Sequence, residues 1–303
     1  MLLHRKYLTY YFLASLSFIL GCTLTMFILH TITFKPNTSP NGLRLRLLVL
    51  VISAVKNRNR RDAIRETWAQ PKEDVKILFV VSKDKSLNAE NLVHNDMLEV
   101  DEEEGYRLLT RKVIASFASV RDINFDYLLK CDDDSFVNMP LIVNELEHMP
   151  KKRLYWGYFD GNAHIKKRGK FKETEWILCD RYLPYALGGG YVLSKDLIIY
   201  LVKNQDYLSM FASEDVSVGA WLSPLNITRK HDRRFDTEWY SRGCRNDYLV
   251  THKRSPEMMR LHWSHNIQTG KMCDKEFKHI ASYEYDWSVM PSKCCMRNLS
   301  LFP

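Results

Sequence analysis

The chain has 303 residues, of which 46% are hydrophobic, 26% charged and 12% aromatic, enough to build a sizeable core and too apolar for a mainly disordered polypeptide. Its formal net charge of +8 suits an anionic ligand, an acidic partner or a membrane surface. A nucleic-acid partner is disfavoured, because no binding motif accompanies the charge and Asp101-Glu102-Glu103-Glu104 interrupts it.

His4-Arg5-Lys6 precedes an uncharged apolar run over 7–29. That run reaches the roughly 20 residues a bilayer-spanning helix needs. It exceeds the apolar core of a cleaved signal peptide, about 7–15 residues, and no Ala-x-Ala site follows it. The leading basic residues favour a cytoplasmic N-terminus. The pattern predicts a cytoplasmic tail over 1–6, a transmembrane signal anchor over 7–29 and a Pro-, Asn- and Gly-containing lumenal stem over 30–42. The remaining 43–303 form one lumenal domain. Of seven cysteines, Cys22 lies in the anchor. Cys131, Cys179, Cys244, Cys273, Cys294 and Cys295 remain, an even set expected to form disulfides whose pairing the count leaves open. Cys294-Cys295 is expected to staple the tail to the body. Asn37, Asn226 and Asn298 head glycosylation sequons.

Residues 45–53 form an aliphatic run suited to a strand buried on both faces. A helix is predicted over 60–69, ended near Pro71, and a second buried strand over 75–81. Tyr106, Leu109, Val113, Phe117 and Val120 recur at helical spacing. A third strand, 127–131, runs directly into Asp132-Asp133-Asp134. Strands alternating with helices predict an α/β fold with a mostly parallel central sheet, in which ligands gather at the carboxyl ends of strands.

Three adjacent carboxylates repel one another unless a cation neutralises them, and hard oxygen ligands suit Mg²⁺ or Mn²⁺. A solvated acidic turn is the plainer alternative, weakened here by the apolar segments on both sides. Gly188-Gly189-Gly190 interrupts the apolar stretch 185–194, which points either to close approach of a ligand or backbone or to a turn or bulge. Ser213 caps a helix whose first turn holds Glu214 and Asp215; the helix dipole alone accounts for both, or one faces a cleft as a general base. Arg60–Trp68 is an arginine-rich helix, fit for phosphate or for solvent. His252 follows the apolar 248–250 and is by itself unremarkable among structural histidines.

In this order Arg60–Trp68, Lys130–Asn138, Tyr185–Ser194, Glu214-Asp215-Val216 and Val250-Thr251-His252 resemble the β-1,3-glycosyltransferase family that includes the β-1,3-galactosyltransferases and fringe. The resemblance implies a GT-A glycosyltransferase fold, with helices flanking the sheet, in a type II Golgi membrane protein that uses a UDP-sugar and Mn²⁺. Tyr182–Ser194, Arg234–Glu238, Ser241–Cys244 and Tyr285–Ser288 are similar to the branch acting on the glycosaminoglycan–protein linkage region. That likeness implies UDP-galactose as donor and Galβ1-4Xyl on proteoglycan core proteins as acceptor. Carried over by position, Asp134 is the direct Mn²⁺ ligand and His252 completes the metal site. Asp132 and Asp133 bind ribose or metal-bound water, Arg61 and Arg65 contact the nucleotide or diphosphate, and Asp215 is the catalytic base. A β-1,3-N-acetylglucosaminyltransferase of the same fold and a catalytically silent glycan-binding protein are the alternatives.

Overall fold

A computed structural model describes residues 16–23, 25, 44–169 and 171–300, and the chain divides into the units 1–43 and 44–303. In the first unit residues 16–23 are helical. Among the described residues no helix is long and apolar enough to cross a membrane. The rest of the predicted 7–29 anchor, and the whole 30–42 stem with Asn37, lie outside the described residues.

The second unit begins with β1 (Leu45–Ile52), α1 (Arg58–Glu66), β2 (Val75–Ser82), α2 (Asn88–His94) and β3 (Met97–Val100). Next come α3 (Leu109–Val120), β4 (Phe125–Asp132), β5 (Phe136–Val137), α4 (Met139–Leu146) and β6 (Leu154–Asp160). After a long excursion follow β7 (Tyr185–Ser194), α5 (Lys195–Lys203), α6 (Glu214–Leu222), β8 (Thr228–His231) and β9 (Phe235–Asp236). The chain closes with β10 (Gly243–Cys244), β11 (Val250–Thr251), α7 (Pro256–Thr269) and β12 (Phe277–Lys278).

Seven strands form the central sheet in the order β3-β2-β1-β4-β7-β6-β8. The first four are mutually parallel, β7 runs against both of its neighbours, and β8 is parallel to β6. The mixed α/β fold with a mostly parallel sheet therefore stands as expected. Alternation along β1 shows why its aliphatic run is unbroken. Leu47, Val49 and Val51 enter one core with Ile64, Trp68 and Trp156, while Leu48 and Leu50 enter another with Val113, Phe117 and Tyr191.

Two features of this frame build the site. First, β5 follows the aspartates and pairs antiparallel with β11, Val137 opposite Val250 and Phe136 opposite Thr251. One step further along that register brings His252 beside the turn that holds Asp134. Second, β7 stays a ten-residue strand, and its glycines serve close approach. A Cβ on Gly189 would lie 2.7 Å from the His252 ring, and one on Gly188 would lie 3.1 Å from the Asp215 carboxylate.

The cysteine expectation needs correction. Cys244 bonds Cys273 and Cys294 bonds its neighbour Cys295, while Cys131 is a buried free thiol and Cys179 an exposed one. The adjacent pair thus staples nothing to the body. Instead, Asn298 N donates to Ser282 O at 3.0 Å and Arg297 pairs with Glu238. An even count overreached because Cys131 sits in the sheet as a small hydrophobe.

Candidate active site

Asp132 ends β4, and the turn after it turns the aspartates in two directions. Asp132, Asp134 and His252 each present a ligand atom, all within 4.8 Å of one another. His252 Nε2 lies 2.9 Å from Asp134 Oδ1 and 3.5 Å from Asp132 Oδ2. It nevertheless makes no aligned hydrogen bond, and neither does Nδ1, although both are buried. A buried imidazole nitrogen aimed between two carboxylates without an aligned hydrogen bond is the donor set a divalent cation fits. Without a cation the cluster holds a proton. Burial would lower the His252 pKa, but the two aspartates outweigh it and hold it up to about 9. Burial would likewise raise the carboxyls; Lys130 and His252 keep Asp132 below the usual range, and His252 does so for Asp134.

Asp133 turns the other way. It accepts from Ser53 Oγ at 2.7 Å, Asn57 Nδ2 at 2.8 Å and Arg60 NH1 at 2.7 Å. It ties the end of β1 and the start of α1 to the aspartate turn.

The opposite wall comes from β7 and α6. Asp215 Oδ2 accepts from Gly188 N at 2.9 Å and Oδ1 from Val216 N at 2.9 Å. Burial raises its pKa, restrained by Lys130 and these N–H groups. Glu214 is buried at 3% exposure and accepts from Tyr191 OH at 2.8 Å. Between the walls stands Lys130, 1% exposed. Its ammonium reaches Gly188 O at 2.7 Å, Asp132 Oδ1 at 2.9 Å and Glu214 Oε2 at 3.0 Å. One cation here faces Asp132, Glu214 and the nearby Asp215. Burial accordingly pushes Glu214 up to about 7, with Lys130 opposing and Asp215 and Asp132 adding.

Two cavities meet at Leu109, Asp132 and Lys253. The larger, about 780 Å³, is lined by 52–57, Arg60, Glu104, Gly105, Lys112 and the three aspartates. The smaller, about 230 Å³, is lined by Gly188, Glu214, Asp215, Trp239, His252 and Phe171 among others. The structure thus brings Asp132, Asp134, His252 and Asp215 together. It does not bring Arg61 and Arg65. Arg61 is fully buried and pairs with Glu90 at 2.7 Å; Arg65 pairs with Asp62 and Glu90 at 2.8 Å and Asp96 at 2.8 Å. Arg60 lines the cavity instead. Sequence reasoning missed Arg60 and Lys130, and of the pair Glu214 and Asp215 it carried only Asp215 forward. A lysine inside the buried strand 127–131 was the available signal, since such a charge must be paired.

A family described as galactosyltransferase matches residues 59–233. Beta-1,3-galactosyltransferase 6 of Mus musculus is 44% identical over 268 residues, covering 83% of this chain and 82% of that protein. UDP-GalNAc:beta-1,3-N-acetylgalactosaminyltransferase 2 of Danio rerio is 32% identical over 223 residues, covering 72% of this chain and 42% of that one. Among solved structures, 4-diphosphocytidyl-2C-methyl-D-erythritol synthase from Anaerococcus prevotii is 14% identical with a TM-score of 0.40, covering 62% of this chain and 86% of that one, too distant to carry an argument. The chain belongs to the galactosyltransferase family. It is a hexosyltransferase of the β-1,3-galactosyltransferase kind, which takes its sugar from a nucleotide-sugar donor and passes it to a glycan or protein acceptor.

Proposed function

We propose that this protein is an inverting, UDP-galactose-dependent β-1,3-galactosyltransferase of GT-A fold that adds the second galactose to Galβ1-4Xyl on proteoglycan core proteins. It works in the Golgi as a single-pass type II membrane protein anchored by 7–29, with the domain after the stem in the lumen. The observation that carries the reading is the convergence of Asp132, Asp134 and His252, of which Asp132 and His252 line one cavity together with Asp215. The likeness to the murine enzyme supports galactose transfer in β-1,3 linkage, the segments Tyr182–Ser194, Arg234–Glu238, Ser241–Cys244 and Tyr285–Ser288 support the linkage-region acceptor, and the two disulfides support an oxidising compartment.

Asp132, Asp134 and His252 would hold Mn²⁺, which when bound supplies positive charge against a departing diphosphate. The larger cavity takes the nucleotide, with Arg60 offering its guanidinium to phosphate oxygens. The smaller cavity takes the acceptor and places its 3-hydroxyl at Asp215. UDP-galactose is α-linked, so a β product requires one inverting displacement, during which the Asp215 carboxylate receives the hydroxyl proton. Its pKa, raised by burial, makes it a stronger base than an exposed aspartate. Lys130 holds Asp132 and the Gly188–Glu214 wall at fixed spacing. The test is Mn²⁺-dependent transfer from a panel of UDP-sugars to Galβ1-4Xyl, with linkage analysis of the product. Transfer of N-acetylglucosamine but not galactose, or a linkage other than β-1,3, would overturn the assignment.

A further inference from the structure

The excursion between β6 and β7 carries a basic segment that the reaction leaves unused. Lys166, Lys167, Arg168 and Lys172 are exposed, and no described residue forms an ion pair with them. The segment is built rather than trailing. Glu173 N donates to Lys166 O at 2.7 Å, and Lys172 N donates to Gly169 O at 3.1 Å. Gly169 at φ +79 supplies the left-handed turn that side-chain-bearing residues avoid. Lys166 N donates to Tyr182 OH at 3.1 Å, and Tyr182 packs with Trp176, Tyr185, Phe211 and Val216 in a separate core.

Two contacts aim this basic tip at the acceptor side. Glu173 Oε2 accepts from Ala212 N at 2.8 Å, three residues before Asp215. Phe171 lines the smaller cavity and meets the Trp239 ring edge-on at 6.0 Å. That cavity holds Asp132, Glu214 and Asp215 beside Lys130, His252 and Lys253, and the exposed Lys172 adjoins its lining residue Phe171 in the chain. A chain that leaves the cavity past Phe171 meets these exposed basic residues, which favour negative charge there. We propose that Lys166, Lys167, Arg168 and Lys172 bind an acidic peptide segment flanking the acceptor sugar, and so select glycosylated acidic polypeptides over free oligosaccharide. The proposal rests on the acceptor reading above.

The test compares two acceptors, a neutral Galβ1-4Xyl glycoside and the same disaccharide on an acidic glycopeptide, using the full chain and its triple variant Lys167→Glu, Arg168→Glu, Lys172→Glu. Rim charges act on encounter and are screened by salt. At low salt the variant should raise the glycopeptide KM about 10-fold, as several exposed pairs of modest strength allow. Its kcat and its KM for the neutral glycoside should not move, and high salt should erase the difference. An equal rise for both acceptors, or none for either, overturns the proposal. Loss of binding to phosphatidylserine-containing vesicles with an unaltered glycopeptide KM also overturns it, assigning the rim to a lipid surface. If the wild type transfers to neither acceptor, the acceptor reading falls by itself. The rim is then decided by fluorescence anisotropy with a sugar-free acidic peptide: weaker binding by the variant upholds it, and equal binding refutes it.

Discussion

Lys130→Met removes the one ammonium that joins the two walls of the site. Its contacts to Asp132 at 2.9 Å and Glu214 at 3.0 Å each carry about 5–6 kcal/mol of gross Coulomb attraction at an effective dielectric near 20. Desolvation takes most of that back, and deleting one partner of a buried pair costs about 3–5 kcal/mol net. Here the loss falls at the low end for two reasons. The Asp132 side chain is 31% exposed, so solvent screens its share. Glu214, at about 7 already, can accept a proton near neutral pH at little cost. The expected destabilisation is about 3 kcal/mol at pH 7. The sign with pH follows. A carboxyl whose folded pKa lies above its unfolded value contributes stability that is lost as pH rises through that window, and without Lys130 the window moves upward. The loss in Lys130→Met should therefore grow above pH 7, by up to about 1.4 kcal/mol per pH unit. Urea unfolding of wild type and variant from pH 6 to 8.5 measures this. Adding Glu214→Gln to Lys130→Met should remove most of the growth. A loss under about 1 kcal/mol, or one that does not change with pH, would refute the reasoning.

Asp215→Asn keeps the shape and one of the two N–H contacts but removes the base; transfer should fall by about 10²–10⁴-fold with UDP binding within about twofold, as titration calorimetry would show. Asp134→Ala and His252→Ala should each weaken Mn²⁺-dependent UDP binding at least about 10-fold, the loss seen when even supporting partners of a metal ligand are removed, while leaving metal-free binding unaltered. Asp236 is fully buried and accepts from Ser241 Oγ, Arg242 N and Thr251 Oγ1, while its carbonyl accepts from His252 N at 3.0 Å. Asp236→Asn removes one of the two carboxylates on the buried Arg242 guanidinium and leaves Glu238 at 3.4 Å, so the stability loss should fall at the low end of the buried-pair range, about 3 kcal/mol, with Mn²⁺ affinity reduced alongside.

What could be read from the sequence was governed by periodicity and by order along the chain. The strands 45–53, 75–81 and 127–131 were legible because burial on both faces leaves an unbroken aliphatic run, and the aspartates fell at a strand end as such runs predict. The glycine triplet was ambiguous until His252 and Asp215 were seen against it, since the reason for a missing Cβ is a neighbour distant in sequence. The arginines show the limit of residue type. Arg60, Arg61 and Arg65 share one helix, and phosphate chemistry suits all of them equally. Helix phase separates them: Arg61 is buried among Glu90 and the carbonyls of Ala54 and Val55, Arg65 is turned to Asp96, and Arg60 alone faces the aspartates. Lys130, which sequence reasoning passed over, could have been read for the opposite reason. A charge at the centre of a buried strand has no solvated alternative, so its partners had to be acidic groups, and they are Asp132, two residues on, and Glu214 from α6.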